Sequence, residues 1–119
     1  AYLKLLIKKK QRSIDYEIIY LLRYIIVSAK SGMSLYDSLA HISNKYGEAG
    51  KVVGKVVRLT ALGKTLSQAL VSVAQKTPSV YMERVLIQLS NSLSSGADIS
   101  DSISSLLKQI NEEEMIQLR

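Results

Sequence analysis

The chain has 119 residues, 47% of them apolar, with one proline, six glycines and no cysteine. That composition suits a single buried core without disulfides or a structural metal, and it excludes thiol chemistry, the commonest zinc sites and a disordered chain. The formal charge of +6 gathers at one end: Lys4, Lys8, Lys9, Lys10 and Arg12 precede the first acid, and beyond Arg12 eleven basic residues face ten acidic ones. A basic coat of the kind that wraps nucleic acid is therefore not expected.

Residues 1–12 read as a basic segment or short helix preceding a bundle over 13–119. Its cations follow apolar residues, the reverse of a signal peptide, and the longest apolar stretch, 18–27, is interrupted by Arg23 and falls short of a membrane span. Ala1 at the start and an unpunctuated end suggest a piece of a longer protein.

Ser13 is expected to open the first main helix, with Asp15 and Glu17 in its first turn offsetting the positive end of the dipole. Ile14, Ile18, Leu21, Leu22, Ile25 and Ala29 recur at helical spacing, and Tyr16, Tyr20 and Tyr24 form a second stripe. Such a helix would be apolar around much of its circumference and central to the bundle, its tyrosines packing and not offering a binding surface. A short helix follows over 34–46, with Leu35, Leu39 and Ile42 inward. Over 51–62 the valines favour a strand locally and Gly50 and Gly54 weaken a helix, yet Val52, Val53, Val56 and Val57 fall at i, i+1, i+4 and i+5, which predicts a helix. Helices are predicted again over 65–76, from a Thr77 cap and Pro78 through Met82, Val85, Leu86, Leu89 and Leu93 to Gly96, and after Asp98 through Ile103, Leu106, Ile110 and Leu118.

Three octets punctuate this pattern: Gly32-Met33-Ser34-Leu35-Tyr36-Asp37-Ser38-Leu39, Gly63-Lys64-Thr65-Leu66-Ser67-Gln68-Ala69-Leu70 and Gly96-Ala97-Asp98-Ile99-Ser100-Asp101-Ser102-Ile103. Gly32, Gly63 and Gly96 can end one helix in the left-handed conformation, and Ser34, Thr65 and Asp98 can cap the next. Asp37, Gln68 and Asp101 then stand where a side chain reaches back to the cap amide, glutamine being the usual partner and aspartate a shorter one. The fold class that follows is all-α, a compact bundle of about six helices with short glycine-punctuated connections.

Nothing in the inventory points to an enzyme. His41 is the sole histidine and has no cysteine to act with, and a metal site needs several convergent ligands. The aspartates at the corners are explained by capping, and residues 47–54 lack the order of a phosphate-binding loop. No catalytic, cofactor or metal residue is expected, and no small-molecule substrate.

Five pieces, taken in order, resemble the type II secretion system F domain in the variety found in archaeal archaellum and type IV pilus platform proteins. They are Ile14-Asp15-Tyr16-Glu17, Ser31-Gly32-Met33-Ser34-Leu35, Tyr46-Gly47-Glu48, Lys76-Thr77-Pro78-Ser79 and Ser95-Gly96-Ala97-Asp98-Ile99. The chain departs from the family pattern in carrying Ile18-Ile19 where relatives often have Leu-Pro. Ser38 and Ser102 also stand where alanine, as at Ala69, is common. The resemblance implies a cytoplasmic domain of a polytopic membrane protein that meets a hexameric assembly ATPase and other platform subunits, a homodimer being one arrangement.

Against that background the basic residues acquire two candidate roles. Lys8, Lys9, Lys10 and Arg12 would lie just inside a membrane reached through flanking spans, where each cation near anionic lipid contributes about 1 kcal/mol. Lys51, Lys55 and Arg58 fall at i, i+4 and i+7 and form a stripe for the ATPase, with Lys45 and Lys64 nearby. Two alternatives remain open at this point. One is a tetratricopeptide-like adaptor, suggested by corner glycines 31 and 33 positions apart but lacking the tryptophan landmark. The other is a small basic nucleic-acid-binding domain.

Overall fold

The computed structural model describes residues 2–117, with the backbone alone described at 10–13 and 114–117. It contains six α-helices and, among the described residues, no strand: α1 (Tyr2–Lys30), α2 (Leu35–Ile42), α3 (Gly47–Ala61), α4 (Leu66–Ala74), α5 (Val80–Ser95) and α6 (Ile99–Gln117). The all-α expectation holds, including the valine-rich stretch, where Val52, Val53 and Val56 are buried on one face of α3.

The corners form as the octets predict. Gly32, Gly63 and Gly96 have φ of 89°, 113° and 73°, and a Cβ on any of them would meet nothing within 4 Å, so what these sites require is the left-handed backbone and not space. Ser34 Oγ accepts from Asp37 N–H at 3.2 Å, Thr65 Oγ1 from Gln68 N–H at 3.1 Å, and Asp98 Oδ1 from Asp101 N–H at 3.3 Å. Gln68 Oε1 also accepts from Thr65 N–H at 3.1 Å and closes a full capping box.

Several boundaries differ from expectation. Ser13 does not open a helix: α1 starts at Tyr2 and continues through it, because the stretch before it holds strong helix formers and no glycine or proline to stop them. The second helix ends at Ile42, since the chain must turn through 43–46 before Gly47, at φ 54°, starts α3. Ser79, not Thr77, caps α5, its Oγ accepting from Met82 N–H at 3.0 Å, so Pro78 precedes the helix instead of opening it. Leu93, expected inside, is 38% exposed. Leu118 lies outside the described residues.

The core is drawn from all six helices, with Ile18, Leu22, Leu39, Leu86 and Ile103 fully buried, each contributing about 1.5–3 kcal/mol. Helix α1 packs on α2, α3, α5 and α6, whereas α4 is held by α3 and α5. That central place for α1 is as expected, but its tyrosine stripe is not inside: Tyr16 is 74% and Tyr20 51% exposed, and only Tyr24 turns inward, edge-on to Tyr46 at 6.4 Å. A stripe at i, i+4, i+8 drifts about 40° per step around a helix, so its ends can lie in different surroundings.

Paired side chains fix the directions. Ser67 near the start of α4 meets Ser90 near the end of α5 at 2.7 Å. Arg84 near the start of α5 grips Glu113 of α6 through both carboxylate oxygens at 3.0 and 3.2 Å and also donates to Gln109 at 3.2 Å. Both pairs run antiparallel. The first turns of α3 and α5 lie beside Glu17 and Asp15, so the three glycine corners gather at the opposite end of the bundle.

Candidate functional site

The two acidic residues of α1 do not serve their own helix start, as the sequence pattern suggests. With α1 extending back to Tyr2 they sit in mid-helix, and each attends the first turn of another helix. Glu17 Oε2 accepts from Ala49 N–H at 2.9 Å, placing a carboxylate on the positive end of α3. Gly47 makes room for it, since a Cβ there would lie 2.8 Å from Glu17 Oε1. Asp15 Oδ1 accepts from the hydroxyl of Ser79, the fully buried cap of α5, at 2.5 Å. Burial pushes the Asp15 carboxyl above its ordinary value of 3.8, and the bond from Ser79 draws it partly back. These contacts set where α3 and α5 start, and through α3 they position the surface described next.

Between α3 and α4 the bundle holds a groove of about 420 Å³. Its apolar part is formed by Val52, Leu59, Val73 and Pro78, and its cations are Lys55, Arg58, Lys64 and Lys76. All four cationic residues are exposed, none forms an ion pair among the described residues, and no carboxylate among them lines the groove. Ser72 and Thr77 add hydroxyls. Such a surface can receive an anionic partner that also carries apolar groups.

The predicted stripe is thus divided. Lys55 and Arg58 border the groove, whereas Lys51 is bound to Glu48 at 3.3 Å one turn away. Lys64 joins them from the corner before α4, but Lys45 lies instead over the Tyr24 ring, 5.6 Å from its centroid. Lys76 was missed by the sequence reading. Its signal was present, because Lys64 and Lys76 flank α4, but only the packing of α4 on α3 brings them beside Lys55 and Arg58.

The other candidates are placed as follows. Lys8 and Lys9 are exposed on the first turns of α1, among exposed Tyr2, Leu3, Leu5, Leu6 and Ile7; the side chains of Lys10 and Arg12 lie outside the described residues. Among the described residues no helix is long and apolar enough to cross a membrane, and no group of three or more histidine, cysteine, aspartate or glutamate residues could hold a metal. His41 is exposed near the end of α2.

No curated protein and no solved structure matches the chain. A family model described as Type II secretion system (T2SS), protein F, matches residues 21–119. The match takes in four of the five resembling pieces and leaves Ile14-Asp15-Tyr16-Glu17 outside; it names the family as a whole and no archaeal branch of it. Proteins of this kind are membrane platform components of secretion machinery. From the glycine corners, the six-helix bundle and a match over most of its length, the chain belongs to the type II secretion system protein F family.

Proposed function

We propose that the chain is the cytoplasmic interaction domain of a platform protein for a type IV pilus-like filament or archaellum, and that it docks the hexameric assembly ATPase without chemistry of its own. The observation that carries this reading is the groove between α3 and α4, where four cations without an ion pair among the described residues surround an apolar floor in a member of a platform family. Burying such a surface against a neutral partner would strand its charges, so an acidic partner is favoured. Lys55 and Arg58 are the contacts retained from the stripe; Lys51, already paired, is peripheral. Nucleotide hydrolysis belongs to the partner, and the domain passes the partner's movement on to its own membrane helices.

The test is affinity for the cognate ATPase, measured by surface immobilisation of the domain. Lys55→Glu with Arg58→Glu should weaken binding about tenfold or more, a loss of about 1.4 kcal/mol at the least. Unchanged affinity would remove the groove from the interface.

A second surface concerns the membrane. The start of α1 carries exposed apolar residues beside Lys4, Lys8 and Lys9, a combination suited to an anionic lipid boundary. Flotation with anionic vesicles at low salt should be lost when Lys8, Lys9, Lys10 and Arg12 are neutralised, and identical flotation would sink this role.

A further inference from the structure

The shape and charge of the groove say more about its occupant than that it is acidic. Resting on the docking reading above, we infer that the groove takes an acidic peptide segment with a bulky apolar anchor, laid along α3 and α4, and not a single small anion.

The first reason is where the cations stand. Lys55 and Arg58 are three residues apart on α3, which separates them by about 4.5 Å along the helix axis. Lys64 and Lys76 stand before and after α4, whose nine residues span about 13 Å. Lys55 and Arg58 could share one anion, but with Lys64 and Lys76 at the two ends of α4 the four charges are spread along the trough, and a chain with several carboxylates can meet them in turn. Arg58 supplies the one planar fork, able to hold a carboxylate through two bonds, and the three lysines act as point charges that tolerate variation in register.

The second reason is the floor. Half-buried Leu59 and exposed Pro78, over the buried Val52 and Val73, give the trough an apolar base that a purely acidic chain would leave unused. An isoleucine, leucine or methionine side chain seated there would shield the surrounding ion pairs from water and strengthen them. Ser72 and Thr77 also line the groove and add hydroxyls to its wall.

A nucleic-acid strand would satisfy the charges as well, but among the described residues no aromatic one lines the groove, and strands without paired bases are held by stacking on aromatic rings. The peptide is therefore the better fit.

The experiment is fluorescence anisotropy of a short synthetic peptide with glutamates and leucines interleaved at helical spacing, titrated with the domain at low and high salt. Three further probes are the same peptide with serine for leucine, inorganic phosphate as competitor, and an oligothymidylate. The leucine peptide should bind, weaken with salt, and bind about tenfold more tightly than the serine peptide. Lys64→Glu with Lys76→Glu should reduce that binding about tenfold, with the thermal midpoint of the domain unchanged because both residues are exposed. Equal binding of the serine peptide or of oligothymidylate, displacement by phosphate at low millimolar levels, or indifference to the Lys64 and Lys76 changes overturns the inference. Its failure is separable from that of the docking reading. If the ATPase needs Lys55 and Arg58 but the leucine peptide does not bind, docking stands and this inference falls; the reverse pattern retires docking alone.

Discussion

The Glu17 carboxylate and the Ala49 backbone amide, 32 positions apart in sequence, meet at 2.9 Å at the first turn of α3. A charged acceptor on a half-buried amide is among the stronger single contacts available to a small domain, and leaving that amide without a partner carries a desolvation penalty. Glu17→Ala should therefore lower unfolding free energy by about 1.5–3 kcal/mol, and Glu17→Gln, which keeps an acceptor but not the charge, by about half as much. Urea denaturation of the three proteins checks both. A loss in the glutamine variant equal to that in alanine would mean that charge, not the bond, is what α3 requires.

Asp15 gives a pH signature. Because burial raises its folded-state pKa above 3.8, the native chain holds this proton more tightly than the unfolded chain, and between those two values stability falls as pH rises. The contribution is present in full below pH 3.8 and is lost as pH climbs through the folded value. Asp15→Asn does not titrate. The stability of the native protein relative to this variant should thus decline upward from pH 3.8 and then level off, as read by urea denaturation across the acid range. A relative stability that rises with pH would reverse the assignment.

Gly50 and Gly54 look alike in the sequence, each a weak spot in α3, but they answer to different constraints. A Cβ on Gly50 would stand 2.9 Å from the Ile42 carbonyl oxygen, which is backbone at the end of α2 and has little freedom to move. On Gly54 it would meet only Ser43 Cβ at 3.5 Å, an ordinary contact. Gly50→Ala should destabilise by about 1–3 kcal/mol. Gly54→Ala should stabilise by up to about 1 kcal/mol, because alanine is the better helix former. Thermal midpoints moving in opposite directions are the expected result.

The tyrosines of α1 separate in the same way. Tyr16→Ser and Tyr20→Ser remove exposed rings and should shift stability by no more than about 0.5 kcal/mol each. Tyr24→Ala deletes an edge-on partner of Tyr46 and the ring beneath Lys45, and should lose at least about 1 kcal/mol.

What was legible in the sequence was what is local. A glycine, a cap and a side chain three residues later make contact within a single turn, so the corners at Gly32, Gly63 and Gly96 could be located from spacing alone. The existence of six helices followed, as did the inward face of α3. What was not legible depends on which helices become neighbours. Asp15 and Glu17 read as first-turn carboxylates of their own helix because nothing nearby in the chain names Ser79 or Ala49 as partners. For the same reason the stripe on α3 was visible while the arrival of Lys76 from beyond α4 was not, whereas the pairing of Lys51 with Glu48, three positions apart on one helix, is as local as the corners and could have been read from spacing. The start of α1 was misjudged for a different cause: a serine followed by acids resembles a helix opening, but a helix already under way passes through it unless something stops it.

From Tyr2 to Lys30 helix α1 has no glycine, no proline and no break, over roughly 40 Å. It has nowhere to hinge. A tilt imposed on its first turns would carry along the helix to Asp15 and Glu17, which are fastened to the leading edges of α5 and α3. The helix therefore ties its outer end to the start of α3, which forms one wall of the cationic trough, without a flexible joint between them.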